Sequence, residues 1–316
     1  MDMFSAPHFT NDEAARKLLE GIRWPHGPVC PHCGVVGHSY ATKRAGVYRC
    51  AESECRNDFS VTTKSVMESS HIPLHKWMQG FYLMSASKKG ISAHQLHRTL
   101  NITYKAAWFM AHRIREAMKA GGLVSPMGGS GKIVEADETY IGKIDTPRPR
   151  NPHSPPPTKT GRSGSAGKQI VVSLVERGGS VRSFHVAVGT KKVITDIVTA
   201  NVARESRLHT DESLLYGDMR QHVASHETVI HSRREYARGD VTTNSVEGFF
   251  GIFKRGMRGT YQHCKEKHLH RYLAEFDFRY NNRIALGVND EARTAKAIKG
   301  AADKRLTYRR TNETRV

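Results

Sequence analysis

The spacing of hydrophobic and polar residues changes along the chain and predicts several kinds of structure in succession. Residues 11–23 (NDEAARKLLEGIR) have a helical period, and either Thr10 or Asn11 can cap them, so a short helix is predicted within residues 1–28. Residues 29–65 are rich in turn residues and lack helical periodicity. That pattern is typical of short strands joined by tight turns.

Helical periodicity returns between residues 70 and 120. The stretch LHKWMQGFYLM places four apolar residues on one helix face, namely Leu74, Trp77, Met78 and Phe81. Ser92 and Thr103 can each cap a further helix, and Asn101 begins the break between those two helices. Their predicted buried positions are Leu96, Leu100, Ala107, Met110, Ile114 and Met118. Two short amphipathic helices a few residues apart predict a helix-turn-helix, which is a DNA-binding motif.

A different pattern follows the Gly/Ser-rich linker at residues 121–131. Residues 132–290 predict strand, strand, strand, helix, strand, helix, strand, helix and helix, which indicates an α/β domain. A Pro-rich, basic loop at residues 144–167 separates the first two strands. The last segment, 291–316, is a basic and polar tail that we expect to pack poorly.

The charge of the chain points to an anionic partner. Its 316 residues include 49 Lys and Arg against 30 Asp and Glu, a net charge of +19. An excess of this size attracts polyanions, of which nucleic acid is the commonest. No apolar run reaches the roughly 18 residues that span a bilayer, and the N-terminal residues lack the features of a secretory signal. We therefore expect a cytoplasmic protein that has no membrane partner.

Four cysteines fall into two pairs with the spacing of a zinc ribbon. CPHC is followed after sixteen residues by CAESEC, and the pairs comprise Cys30, Cys33, Cys50 and Cys55. Zinc prefers four such ligands in a tetrahedron, and four thiolates leave no open position for chemistry. We therefore predict a structural zinc ion within residues 29–65. A second metal site is the weaker alternative for the remaining Cys264 and its neighbours His263, His268 and His270.

Three acidic residues of the α/β domain are predicted to converge. Asp137 lies in the first strand, Asp211 at the end of RLHTD, and Glu247 near the start of a helix. Glu135 shares the side-chain parity of Asp137, whereas Glu138 faces the other way. Carboxylates brought together repel one another unless they hold cations, and Mg²⁺ or Mn²⁺ prefers oxygen ligands. We predict a site for two metal ions, which can clamp the attacking and leaving oxygens of a phosphodiester.

The helix that carries Glu247 also has a basic end. Lys254 follows seven residues later, nearly two turns along the helix, and Arg255 is next to it. The residues predicted to pack this helix on the sheet are Val246, Phe249, Phe250 and Phe253. Glu247 would then face the metals while Lys254 reaches the DNA backbone. An ordinary amphipathic helix with solvated charges is the alternative.

Together these motifs resemble the DDE-type transposases of bacterial insertion sequences, in the group that has an N-terminal zinc ribbon. The resemblance covers most of residues 10–285 and rests on CPHC with RCAESEC, DFSVTTKSVMESSHIPLHKW, GISAHQLHRTLNITYKAAWFMAHRIREAM, VEADETYIG, HTDES and NSVEGFFGIFKRGMRGTYQHCKEKHLHRYLAEFDFRYNNR. It implies a multidomain α+β protein with a zinc ribbon, a helix-turn-helix and a ribonuclease-H-like α/β catalytic domain. It also implies an acidic triad, placed on Asp137, Asp211 and Glu247, with Lys254 as the basic residue that follows it.

The implied activity is cleavage of double-stranded DNA at terminal inverted repeats, followed by strand transfer into target DNA. The resemblance also implies at least a homodimer in the DNA complex, within the nucleoid of a bacterial cytoplasm. Two triad positions have alternative residues. Asp218 is the alternative for the second acid. Asn244 is the alternative for the third, because related transposases can use asparagine there. Two other functions compete, a zinc-ribbon DNA-binding regulator without enzymatic activity and a ribonuclease-H-like nuclease that cuts without joining.

Overall fold

The computed structural model describes residues 4–121, 124–144 and 167–307. It divides the chain into two compact units, and the first combines Met1–Gly121 with Asn282–Val316. The second unit is Gly122–Asn281. Most of the predicted Pro-rich loop, 145–166, and the last residues of the predicted basic tail, 308–316, lie outside the described residues.

The secondary structure alternates in type along the chain. The helices, in chain order, are α1 (Asp12–Arg23), α2 (Leu74–Ala86), α3 (Ala93–Leu100), α4 (Tyr104–Met118), α5 (Lys191–Asn201), α6 (Asn244–Gly256), α7 (Leu269–Asn281) and α8 (Asp290–Lys299). The strands are β1 (Ser39–Ala41), β2 (Val47–Cys50), β3 (Asp58–Ser60), β4 (Ile133–Ile141), β5 (Gln169–Glu176), β6 (Val181–Val186), β7 (Arg207–Thr210), β8 (Ser225–Thr228), β9 (Ala237–Arg238) and β10 (Val241–Thr242). Within the described ranges, no helix has both the length and the apolar character needed to cross a bilayer.

The first unit contains four of the predicted helices and a small antiparallel sheet in the order β1-β2-β3. The side chains of Asn11, Ser92 and Thr103 accept hydrogen bonds from backbone N–H groups in the first turns of α1, α3 and α4, which confirms these three predicted caps. All the buried positions predicted for α3 and α4 are buried. On α2, three of the four predicted face residues are buried and Leu74 is partly exposed.

The C-terminal region differs from the expectation of poor packing. Asn289 caps α8 by accepting a hydrogen bond of 2.8 Å from the N–H of Ala292. Ala297 and Ile298 are buried, as is Ala301 just after the helix. The first unit therefore includes α8 in its core, because a few apolar positions on one face of a polar helix are enough to bury that face.

A five-stranded mixed sheet forms the centre of the second unit. Its strand order is β6-β5-β4-β7-β8; β4, β5 and β6 pair antiparallel, whereas β7 pairs parallel with both β4 and β8. One face of the sheet, with Val134 and Ala136, packs against α5. The other face packs against α6 and α7, and the residues predicted to bury α6, Val246, Phe249, Phe250 and Phe253, are all buried there.

Three local features of this unit differ from the sequence-based prediction. The segment between β7 and β8 was expected to be a helix and instead forms two short 3-10 turns, Leu214–Tyr216 and Met219–Gln221. The hairpin of β9 and β10 was not predicted, because its strands have two residues each and carry no periodic signal. The predicted helical region beyond α6 is interrupted after a π-helical turn at Met257–Tyr261.

Candidate active site and metal centre

The four predicted zinc ligands come together in the first unit. The sulfur atoms of Cys30, Cys33, Cys50 and Cys55 all lie within 4.8 Å of one another, and two of the separations are 3.6 and 3.7 Å. A tetrahedral zinc site with Zn–S bonds of about 2.3 Å has edges of about 3.8 Å between sulfurs. The donor set and its spacing therefore fit one structural zinc ion.

The backbone beside the cluster favours the thiolate form. The N–H and the side-chain amide of Asn57 both donate to Cys55 and lower the pKa of its thiol to about 6. Since zinc binds thiolate sulfur, this donation prepares Cys55 as a ligand. Elsewhere in the described ranges, no other three His, Cys, Asp or Glu ligand atoms gather as closely, so the alternative site around Cys264 is not supported.

The three predicted acids occupy neighbouring elements of the second unit. Asp137 lies on β4, and Asp211 follows β7 directly. These strands are parallel, and the register that pairs Glu135 with His209 places Asp137 and Asp211 two residues further along their strands. Glu247 lies in the first turn of α6. The topology thus brings Asp211, just past the end of β7, beside Asp137 in the middle of β4.

The three carboxylates interact electrostatically. Burial is the largest cause that raises the pKa of Asp137 to about 8, and the negative charges of Asp211, Glu138 and Glu247 contribute to the same rise. Burial likewise raises the pKa of Asp211, and the negative charges of Glu212 and Glu247 also raise it. In the described part of the chain, neither aspartate forms an ion pair with Lys or Arg. A partly buried acidic cluster without such a partner suits a bound cation, although its oxygens gather less tightly than the four sulfur atoms.

The side chain of Glu247 remains accessible. Its carboxylate accepts a hydrogen bond of 2.7 Å from the hydroxyl of Thr243, and 46% of the side chain is exposed. The rival Asn244 is also exposed, at the first position of α6. Lys254 lies in the last turn, with Nζ 5.9 Å from the centre of the Phe250 ring. The structure therefore places Glu247 and Lys254 at opposite ends of the helix.

The rival second acid has a different environment. Asp218 forms an ion pair of 2.6 Å with Lys191, and 47% of each side chain is exposed. The charge of Asp211, by contrast, is one of the main causes of the raised pKa of Asp137. Asp218 is therefore held in an exposed ion pair, whereas Asp211 interacts with Asp137.

A histidine that the sequence did not single out also lies at this site. Nε2 of His231 is buried and lies 3.6 Å from Oε1 of Glu247. Its backbone is held in place by Glu212, whose carboxylate accepts hydrogen bonds of 2.8 and 2.9 Å from the N–H groups of His231 and Ser232. The position of Glu212 next to Asp211 is the only sequence feature that connects this loop with the acids.

Glu138 faces the opposite side of β4, as its parity predicted. Its carboxylate accepts hydrogen bonds from the hydroxyl groups of Tyr216, at 3.0 Å, and Ser213, at 3.3 Å. Burial raises the pKa of Glu138, and the charge of Asp211 raises it as well. Glu138 therefore has its own partners on the α5 side of the sheet.

Comparison with known proteins identifies relatives for both units. Residues 128–281 match the ISXO2-like transposase domain, and residues 10–58 match a transposase zinc-ribbon domain. An uncharacterized protein in transposable element ISH50 of Halobacterium salinarum is 26% identical over 280 residues, which cover 86% of this chain and 91% of that protein.

Among solved structures, this chain is similar to a chain of the simian T-cell lymphotropic virus intasome in complex with PP2A regulatory subunit B56 gamma. The similarity covers 58% of this chain and 67% of the intasome chain. The two are 17% identical with a TM-score of 0.28, which is too low to support an argument.

Proposed function

Because the chain belongs to the family of transposases that combine an ISXO2-like transposase domain with an N-terminal zinc ribbon, we propose that it moves an insertion sequence. In this proposal it cuts double-stranded DNA at the terminal inverted repeats of the element and joins the freed ends to target DNA. The observation that carries the proposal is the acidic cluster, where burial and neighbouring carboxylates raise the pKa of Asp137 to about 8. Strongly perturbed acids of this kind are typical of functional sites.

The carboxylates of Asp137, Asp211 and Glu247 would hold Mg²⁺ or Mn²⁺. When bound, a pair of such ions supplies Lewis-acid activation of the scissile phosphate and of the oxygen that attacks it. The chain itself supplies placement, since adjacent strands hold the two aspartates and α6 holds Glu247. We favour Glu247 over Asn244 because a carboxylate binds hard cations better than an amide. Lys254 would bind a DNA phosphate beyond the acids.

A ribonuclease-H-like fold is our proposal for the second unit. Its support is the sheet order β6-β5-β4-β7-β8, with three antiparallel strands followed by two that continue parallel to β4. In this arrangement the central strand carries Asp137 and its parallel neighbour leads to Asp211. The chemistry would then take place where β7 ends beside the middle of β4.

Recognition of the element ends would fall to the first unit. We propose that the zinc ribbon and the α3–α4 pair, acting as a helix-turn-helix, bind the terminal repeats. The exposed residues of this pair include Arg98 and Lys105, and the rings of His94 and Tyr104 stack 4.3 Å apart between the two helices. The excess of 49 basic over 30 acidic residues supports attraction to DNA phosphates. Because two ends must meet one target, at least a dimer would assemble on DNA in the nucleoid.

A cleavage and strand-transfer assay tests the proposal. The protein is incubated with the DNA that flanks its own gene, in Mg²⁺, Mn²⁺ or EDTA, beside the variants Asp137→Asn and Asp218→Asn. We expect metal-dependent nicks at the repeats and joined products, which Asp137→Asn abolishes and the matched control Asp218→Asn retains. Nicks without joined products would instead identify a nuclease. Binding of the repeats without cutting would identify a regulator.

A further inference from the structure

A buried glutamate joins the strand of Asp137 to the helix of Glu247. Glu135 has no exposed surface and lies two residues before Asp137 on the same face of β4. Its Oε2 accepts hydrogen bonds from the N–H groups of Ser245, at 2.6 Å, and Val246, at 3.0 Å. The hydroxyl of Ser245 donates to Oε1 at 3.0 Å. One carboxylate therefore binds the first turn of α6, although Ser245 is 110 residues away in sequence.

The charge of this glutamate is balanced by an arginine that also binds the backbone leading into α6. Nε and one terminal nitrogen of Arg177 donate to Oε1 of Glu135 at 3.0 and 2.8 Å. The same side chain donates to the carbonyl oxygen of Asp240 at 2.8 Å and to the hydroxyl of Thr242 at 3.0 Å. Arg177 thus fixes both the carboxylate and the β9–β10 hairpin that precedes the helix.

The residue in the capping position of α6 makes this arrangement unusual. A threonine there would ordinarily accept a hydrogen bond from a backbone N–H group of the first turn. Thr243 makes no such bond, and its hydroxyl instead donates to Glu247. The first N–H groups of the helix are satisfied by Glu135, whose negative charge also suits the positive end of the helix.

We propose that Glu135 and Arg177 are positioning residues that set the distance and orientation between Asp137 and Glu247. Glu135 lies two residues before the first acid, and the residue it holds, Ser245, lies two residues before the third acid. A displacement at this joint would move Glu247 relative to the strand. The inference rests on the proposed function, because it assigns these residues to the same metal-dependent site. Supporting groups of this kind typically change metal affinity 10–100-fold when altered.

The test compares two buried carboxylates of the same unit. Glu135→Gln keeps the size of the side chain but loses the charge and one acceptor. The matched control is Asp277→Asn, because Asp277 accepts hydrogen bonds from the N–H and hydroxyl of Ser183, at 2.8 and 2.7 Å, and so joins α7 to β6. Calorimetric titration with Mn²⁺ measures metal affinity without DNA. Thermal melting measures stability, and the Mg²⁺ dependence of cleavage measures the loaded enzyme.

We expect Glu135→Gln to weaken Mn²⁺ binding on the order of tenfold and to raise the half-saturating Mg²⁺ concentration similarly. DNA binding in EDTA should stay at the wild-type level. Asp277→Asn should lower the melting temperature but leave metal affinity within about twofold, as expected for a purely structural contact. Wild-type Mn²⁺ affinity in Glu135→Gln, or an equal loss of affinity in Asp277→Asn, would overturn the inference.

Arg177→Lys provides a second variant if Glu135→Gln does not fold. Lysine keeps the charge but cannot bind Glu135 and the hairpin together as the guanidinium group does, so a smaller loss of Mn²⁺ affinity is expected. Unchanged affinity in Arg177→Lys would count against the inference. A wild-type protein that binds Mn²⁺ without cutting DNA would refute the proposed function alone. A wild-type protein that binds no Mn²⁺ would refute both.

Discussion

The hydroxyl of Thr243 donates a hydrogen bond of 2.7 Å to the carboxylate of Glu247, one turn later on α6. This contact orients Glu247 without neutralising it, because a hydroxyl group carries no charge. The carboxylate remains 46% exposed and close enough to add to the raised pKa of Asp137. Thr243 therefore holds in place a carboxylate that stays accessible to solvent.

Substitution of Glu247 and of Asn244, one at a time, should distinguish which of the two residues is the third metal ligand. Glu247→Gln should reduce cleavage more than about 100-fold, since loss of a ligand costs more than loss of a supporting group. Asn244→Ala should stay within a few fold of the wild type, because Asn244 is exposed and α6 is anchored by Glu135. Rates of cleavage at saturating DNA measure both effects. If Asn244→Ala is inactive and Glu247→Gln is active, the third ligand has been assigned to the wrong residue.

The pH dependence of stability should report on Asp137. In the folded, metal-free protein its pKa is about 8, whereas in the unfolded chain a carboxyl of this type titrates near pH 4. The folded state therefore binds more protons between these values, and its stability falls as the pH rises from about 4 to 8. At about 1.4 kcal/mol for each pKa unit, this loss of stability reaches at most about 6 kcal/mol.

Asp137→Asn should remove this part of the pH dependence. The free energy of unfolding, measured with urea at several pH values in EDTA, should fall less steeply for the variant than for the wild type. The control Asp218→Asn, which alters an exposed ion pair with Lys191, should follow the wild-type slope. Added Mg²⁺ should stabilise the wild type most at the alkaline end, because bound cations favour the folded state. Parallel slopes for wild type and Asp137→Asn would argue against a partly buried Asp137 whose carboxyl stays protonated up to about pH 8.

Local sequence signals predicted much of this structure. Ser92 and Thr103 marked the starts of α3 and α4 because a cap acts on its own first turn. The cysteine spacing indicated the zinc ligands because two short knuckles bring four sulfurs together. The placement of Asp137 within a strand and of Asp211 directly after one was predicted because both strands have clear apolar residues.

The contacts that arrange the acids could not be predicted in this way. The bond from Ser245 to Glu135 links residues 110 positions apart, and the two bonds from Arg177 to Thr242 span 65 positions. Such pairs form only when the sheet and α6 are already packed, so no window of sequence contains them. The 3-10 turns after β7 were missed for a related reason: Tyr216 is buried by the tertiary core rather than by a helical repeat.

Removal of the zinc ion should disrupt the ribbon. Cys33→Ser or prolonged chelation should release one zinc ion per chain. Residues 29–58 should then lose their protection from hydrogen exchange, because a small region with few apolar residues depends on its metal to fold. Some structure near Trp24 should persist, because its ring also packs edge-on against Phe59, outside that range, at 5.8 Å. Zinc content and hydrogen exchange measure these changes. Cys264→Ser, outside the cluster, should keep full zinc, and any loss there would revive a second site.

Lys254 should contribute one phosphate contact to DNA binding. If it does, Lys254→Ala should weaken binding of repeat DNA and of unrelated DNA to similar extents. The slope of log affinity against log salt concentration should become shallower by the amount expected for about one lost phosphate contact. The matched control is Lys192→Ala on α5. The side chain of Lys192 is 83% exposed and forms an ion pair of 2.8 Å with Asp196. Affinities measured from about 50 to 200 mM salt in EDTA separate binding from cleavage.

The comparison between the two lysines decides how α6 is used. Lys254 shares its helix with Glu247, whereas Lys192 lies on the helix that packs on the other face of the sheet. DNA that reaches the acids should therefore contact Lys254 and leave Lys192 in solvent. Equal salt slopes for wild type and Lys254→Ala, or the same loss from Lys192→Ala, would mean that the basic end of α6 is an ordinary solvated surface.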